Sequence, residues 1–185
     1  SLGTEIHYAP RLTADTGWSR HIDHYWNPKA VRRILAEVTG LKLQPRNEQS
    51  RFKISYYIDP AKAPDADEIN SLLHRNEEAV NVIYSFGQFL DIVPVRASKG
   101  FALRWFADQW DISLDHVLAA GGSGADEDMM RGNTLAVVVS NRHHEELSEL
   151  TDVERIYYAH QPYAAGILEA IKHYEFLETC GVMPE

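Results

Sequence analysis

Apolar residues along the first half of the chain change period twice. Val31, Ile34, Leu35 and Val38 recur at the i, i+3, i+4, i+7 spacing of an amphipathic helix. Asn27 and Pro28 precede them as a capping residue and a first-turn proline, and Gly40 follows as the expected stop. Residues 41–44 and 52–58 then read as strands, joined by a polar connection holding Pro45, Asn47 and Ser50. Lys53-Ile-Ser-Tyr-Tyr-Ile58 has the β-branched and aromatic bias of a strand. Asp59-Pro60 breaks it, and Asp65 caps a second helix with Ile69, Leu72 and Leu73 on one face. Residues 80–84 and 89–93 form two more strands around Ser85-Phe86-Gly87. Helix-strand-strand, given twice, predicts an open sheet with helices on one face, although the two repeats share no obvious sequence. Ahead of them, residues 2–8 read as a strand ended by Ala9-Pro10, and residues 13–24, with Trp18 inside, as a loop.

After Pro94 the rhythm becomes alternating helix and strand. A helix over 98–110 carries Phe101, Trp105 and Phe106, and a strand over 117–120 leads to a short helix from about Asp126. The continuous apolar run at 135–139 is that of a strand covered on both faces. A polar helix over 143–150, a strand over 155–158 and a final helix over 162–178 complete the pattern. The last helix carries Ala164, Ile167, Leu168, Ile171 and Tyr174. This half is α/β with a mainly parallel sheet, whose ligands sit at the carboxyl ends of strands. The glycine-rich turn at 121–124 lies at such an end.

With 185 residues, 44% hydrophobic and 24% charged, the chain suits a globular protein of one domain or two small ones. A net charge of −9 leaves no basic stripe for nucleic acid, but a phosphorylated small molecule needs only one or two local cations. Cys180 is the single cysteine, so no intramolecular disulfide forms, and a reducing cytoplasm is the default expectation. No apolar run approaches the roughly 20 residues that span a bilayer, so no membrane partner is expected. The first residues read as the middle of an element, so an upstream segment is expected before Ser1.

Lys99 opens a helix, where its charge adds to the free amides and makes an anion site. The plain alternative is a solvated lysine, mildly unfavourable against the helix dipole. In Val117-Leu-Ala-Ala-Gly-Gly-Ser-Gly-Ala-Asp-Glu-Asp-Met129, glycines permit close ligand approach and the acids supply hard oxygens suited to Mg²⁺. Acids in a first helical turn also suit the dipole without any ligand. Lys53 with Gln49 and Arg51 is either a solvated edge or a binding cluster. Ser85, Gly87, Gln88 and Asp91 are either a plain turn or contacts to sugar hydroxyls. His143-His144 with Glu145 and Glu146 reads as a solvated helix face, because adjacent histidines point apart. His21, His24 and Trp18 in the expected loop are either plain loop residues or part of a metal site that nothing further supports, and Trp105, Tyr157 and Tyr158 read as core or core edge.

Residues 121–129 resemble the Gly-Asp-Ser-Gly-Asn-Asp-x-x-Met loop of haloacid dehalogenase-like phosphatases, with Gly122 at the first acid and Ala125 at the asparagine. An ordered set of further stretches resembles sucrose-phosphate phosphatases. These are Ser1-Leu-Gly-Thr-Glu-Ile-His-Tyr8, Phe52-Lys-Ile-Ser-Tyr-Tyr57, Ile83-Tyr-Ser85, Leu90-Asp-Ile-Val-Pro94, Lys99-Gly100, Val138-Val-Ser-Asn141 and Ala164-Ala-Gly-Ile167. The set looks most like the phosphatase-like domain at the carboxyl end of bacterial sucrose-phosphate synthases.

The resemblance implies an α/β fold: a Rossmann-like haloacid dehalogenase core, incomplete at its N-terminus, with an inserted α+β C2-type cap built from helix-strand-strand repeated. Residues 1–10 would end a core strand, 11–95 form the cap, and 96–185 return to the core. It implies hydrolysis of sucrose 6-phosphate through an aspartyl-phosphate, with Lys99 holding charge on the phosphoryl group and Asp126 helping to hold Mg²⁺. Lys53, Ser85 and Asp91 would recognise the sugar. No Asp-x-Asp-x-Thr/Val motif occurs in the chain, so the nucleophile and acid/base are expected upstream, and the missing central strands would leave a slot in the sheet. Gly122 weakens the expected metal site. A phosphatase-like domain without turnover, binding sugar phosphate or supporting a fused glycosyltransferase, is the competing expectation. A nucleotide-binding Rossmann domain is disfavoured because no Gly-x-Gly-x-x-Gly follows a first strand.

Overall fold

A computed structural model of the chain describes residues 1–143, 147 and 154–182, in two compact units, Ser1–Ala102 and Leu103–Glu185. The first opens with a short antiparallel ribbon, β1 (His7–Tyr8) against β2 (Thr13–Ala14). The strand expected over 2–8 is confined to its last two positions, because Leu2 and Gly3 hold φ of 55° and 78°, outside the strand region. The loop expected over 13–24 is largely helix, α1 (Thr16–Ile22). Asp15 caps it by accepting the Trp18 amide at 2.8 Å, and Trp18 and Ile22, four residues apart, are both buried. Two apolar positions in seven residues give too little periodicity to register as a helix.

Helix α2 (Pro28–Leu35) begins as expected, with Asn27 Oδ1 accepting the Ala30 amide at 3.3 Å. It stops at Leu35 with Ala36 as its cap, so Gly40 (φ 85°) shapes the turn into the next strand rather than ending the helix. The strands β3 (Leu41–Leu43), β4 (Ile54–Ile58), β5 (Val80–Ser85) and β6 (Phe89–Pro94) form one antiparallel sheet ordered β3-β4-β6-β5. Helix α3 (Ala66–Arg75) separates the two hairpins. The hairpins meet along β4 and β6, in the register Ile54↔Ile92, Ser55↔Asp91 and Tyr57↔Phe89.

Strand alternation then sorts side chains onto two faces. Ile54, Tyr56, Ile58, Leu90 and Ile92 pack with Val31 and Leu35 of α2 and Ile69 and Leu73 of α3 in one core. Each such aliphatic side chain contributes about 2 kcal/mol by burial. The other face carries Lys53, Ser55, Tyr57, Phe89, Asp91, Ile83 and Ser85.

Helix α4 (Lys99–Gln109) spans the boundary at Ala102. In the second unit, β7 (Leu118–Gly121), β8 (Leu135–Val138) and β9 (Ile156–Tyr158) form a parallel sheet in that order. Both faces are covered, as the continuous apolar run of β8 requires. Ala136 and Val138 pack with Met130 of α5 (Glu127–Met130), and Val137 with Ala170 of α6 (Tyr163–His173). The single helix expected over 162–178 breaks at Glu175, whose φ is 48°, and resumes as α7 (Phe176–Thr179). The helix expected over 143–150 lies outside the described residues except at 143 and 147. No helix among the described residues is long and apolar enough to cross a membrane.

A full capping box starts α3: Asp65 Oδ1 accepts the Glu68 amide at 2.8 Å and Glu68 Oε2 accepts the Asp65 amide at 3.2 Å. Asp65→Ala is expected to lower stability by about 1 kcal/mol, read as a shifted urea midpoint at unchanged slope.

Candidate functional site

On the face of the antiparallel sheet away from its helices, Lys53 and Asp91 lie together. Lys53 Nζ is 3.6 Å from Asp91 Oδ1, and the two side chains are only 16% and 12% exposed. Ser55, the cross-strand partner of Asp91, stands between them and is fully buried. Its Oγ accepts from Lys53 Nζ at 2.8 Å. Its single proton has two acceptors in reach, Asp91 Oδ1 and the Glu48 carbonyl at 3.1 Å, and the charged carboxylate is the stronger. Gln49 fixes the Ser55 backbone from both sides: Oε1 accepts the Ser55 amide at 3.0 Å and Nε2 donates to the Ser55 carbonyl at 2.9 Å. The network satisfies a charge pair that would otherwise be costly to bury. Ser85 shares this face one row further along, opposite Phe89, and is buried at 8% exposure.

Sequence reasoning placed Lys53, Ser85 and Asp91 in a candidate site but passed over Ser55. The available signal was a polar residue two positions from Lys53 in a strand, hence on the same face. Gln49 was noticed without its role, because a latch onto another strand's backbone is a tertiary contact.

Lys99 is the first residue of α4 and belongs to the first unit, whereas Asp126 belongs to the second. The start of α4 is shaped by a backbone contact: a Cβ on Gly3 would lie 2.0 Å from the Ser98 carbonyl oxygen and 2.5 Å from the Lys99 nitrogen. Trp18 Nε1 donates to the Gly3 carbonyl at 3.1 Å and holds that segment in place. Ser98 Oγ accepts the Phe101 amide at 3.0 Å, an N-cap for the turn that begins with Lys99.

At the carboxyl end of β7 the glycine loop folds over Asp126, which is buried at 9% exposure. Its Oδ2 accepts from the Gly122 amide at 3.0 Å, the Ser123 amide at 3.1 Å and the Ser123 hydroxyl at 3.0 Å. Asp126 thus clamps the glycine loop at the end of β7 onto its own carboxylate. Gly122 is tied to the next strand's exit by its carbonyl, which accepts the His143 amide at 2.7 Å. The two Asp-x-Asp spacings in the chain, at 65–67 and 126–128, both sit at helix starts.

At the end of β9, Glu169 gathers the turn into α6. It accepts from the His160 and Gln161 amides at 2.9 and 3.0 Å, the Tyr157 hydroxyl at 3.0 Å and the His160 ring at 2.7 Å. The His160 ring chiefly, helped by the two amides and the Tyr157 hydroxyl, holds its carboxyl down to about 2 from an ordinary 4.5.

Among the described residues no three His, Cys, Asp or Glu side chains come together as a metal site. His144, Glu145 and Glu146 lie outside those residues.

Two outcomes test these strand-end contacts. A Cβ at Gly121 would fall 2.5 Å from Asp126 Cβ and 2.6 Å from Met130 Cε, whereas one at Gly122 meets nothing nearer than 3.3 Å. Gly121→Ala is therefore expected to cost about 1–3 kcal/mol by overpacking, and Gly122→Ala well under that, in parallel urea titrations. Glu169 contributes stability above its unfolded value near 4.5, and that contribution is lost as pH falls toward about 2. Glu169→Gln should flatten the acid limb of a stability–pH curve between those values and leave the rest of the curve parallel to wild type.

The sequence profile of the family described as Sucrose-6F-phosphate phosphohydrolase matches residues 1–175. Sucrose-phosphatase 1 of Nicotiana tabacum is 33% identical over 185 residues, covering 94% of this chain and 43% of its own length. Mannosylfructose-phosphate phosphatase of Agrobacterium fabrum is 27% identical over 174 residues, covering 94% of this chain and 70% of its own. The solved sucrose-phosphatase of Synechocystis sp. PCC6803, in complex with sucrose and phosphate, superposes with a TM-score of 0.88. It is 30% identical, over 95% of this chain and 72% of that one. The chain thus spans less than half the length of its plant relative.

Proposed function

Because the chain belongs to the sucrose-6F-phosphate phosphohydrolase family, we propose that it is the sugar-recognising and phosphate-facing part of a phosphatase. The substrate class is a phosphorylated, fructose-containing disaccharide, with sucrose 6-phosphate the first choice. The observation that carries this reading is the Lys53–Ser55–Asp91 network. A largely buried ammonium and carboxylate, held side by side on a face turned away from the helices, keep unused N–H and lone-pair capacity for adjacent hydroxyls. Ser85 extends the same face. In this reading residues 11–95 form the cap and the parallel sheet belongs to the phosphate-handling core.

Hydrolysis would run through an aspartyl-phosphate whose nucleophile and acid/base this chain does not carry, since no Asp-x-Asp-x-Thr/Val occurs in it. Lys99, capped onto a helix start, would hold negative charge on the transferring phosphoryl group. Asp126 would act by fixing the strand-end loop. The residues present do not by themselves fit a magnesium ion: position 122 has no carboxylate, and Asp126 Oδ2 already accepts three hydrogen bonds. Magnesium therefore enters this proposal only with carboxylates from elsewhere in the intact protein.

That same observation favours a second reading, a phosphatase-like domain that binds the sugar phosphate without turning it over, within or beside a glycosyltransferase. Phosphate release from sucrose 6-phosphate by the full-length protein, with and without added Mg²⁺, separates the two. The first reading expects release that Lys99→Ala reduces by about 10²–10³-fold, the usual effect of losing one charge-stabilising group. Absence of release together with retained sucrose 6-phosphate binding would establish the second.

A further inference from the structure

The face that carries Lys53 and Asp91 has a second row, and that row is aromatic. Tyr57 and Phe89 are direct cross-strand partners, two positions along from Ser55 and Asp91, with ring centroids 6.0 Å apart. Phe86, in the tight turn between β5 and β6, sets its ring 6.4 Å from Phe89, edge to face. Tyr57 and Phe86 remain 39% and 54% exposed. The turn is an uncomfortable place for a phenylalanine: Phe86 and Gly87 both have positive φ, 52° and 68°, where Asn-Gly is the cheap choice. An exposed ring kept in a strained backbone position lowers stability and adds no core, a pattern that marks a contact surface.

We propose that Phe86, Phe89 and Tyr57 form a shelf that stacks on the C–H face of the sugar ring whose hydroxyls Lys53 and Asp91 hold. A pyranose presents those two chemistries at once, apolar C–H bonds on its faces and hydroxyls around its rim. Rows of rings and charges about two residues apart on one sheet face match that division. The shelf therefore selects a disaccharide phosphate, which has a second ring to stack, over a monosaccharide phosphate. This deepens the function proposed above and rests on it for the identity of the sugar.

Phe86→Asn tests the shelf in the full-length protein, because it removes the ring while relieving the turn, so its melting temperature should equal or exceed wild type. KM for sucrose 6-phosphate should rise about tenfold at unchanged kcat, with KM for fructose 6-phosphate unaltered. A calorimetric titration with sucrose alone, needing no turnover, should show the same weakening. An unchanged sucrose Kd, or an equal KM rise for both phosphates, overturns the shelf even where phosphatase activity is intact. Loss of sucrose affinity in a protein that releases no phosphate supports the shelf while removing the phosphatase reading.

Discussion

An ammonium and a carboxylate can be drawn out of water only when hydrogen bonds compensate, and Ser55 supplies one to each of Lys53 and Asp91. That requirement ties the site to the core of the first unit. Ser55 faces Asp91 only because β4 and β6 hold one register, and that register is fixed by Ile54, Tyr56, Leu90 and Ile92 packing under the helices. A slip of one residue would turn those apolar side chains outward and bury the charges among aliphatic groups. Core packing and the Lys53–Ser55–Asp91 network are two sides of the same strand pairing.

The second unit works by a different rule. Its three strands run parallel, so their carboxyl ends lie together and the loops leaving them start side by side. The geometry there depends on acids that accept backbone amides: Asp126 closes the loop after β7, and Glu169 closes the turn after β9. Both carboxylates act on the shape of a loop. The partners of Asp126 include two amides of its own loop and the Ser123 hydroxyl. Gly122 contributes to that closure through its backbone amide.

Much of the fold was legible from periodicity. The helix-strand-strand repeat, the capping roles of Asn27 and Asp65, and the covered β8 strand all follow from local pattern, because each element is stabilised by residues near it in sequence. The errors fell where local pattern carries little information. Helix α1 has only Trp18 and Ile22 to bury, and Trp18 is useful because it reaches back to Gly3. The break at Glu175 is a backbone conformation unannounced by any glycine or proline.

The sequence by itself determined which residues had to be considered: Lys53, Ser85, Asp91, Lys99 and the glycine loop ending at Asp126. Residue type and spacing were enough, together with resemblance, to suggest a sugar-phosphate ligand. Only the tertiary structure decided that Lys53 and Asp91 share Ser55, that Asp126 points into its own loop, and that Phe86 stands beside Phe89. These facts depend on strand register and loop closure, which join residues distant in sequence through energies that no single segment contains.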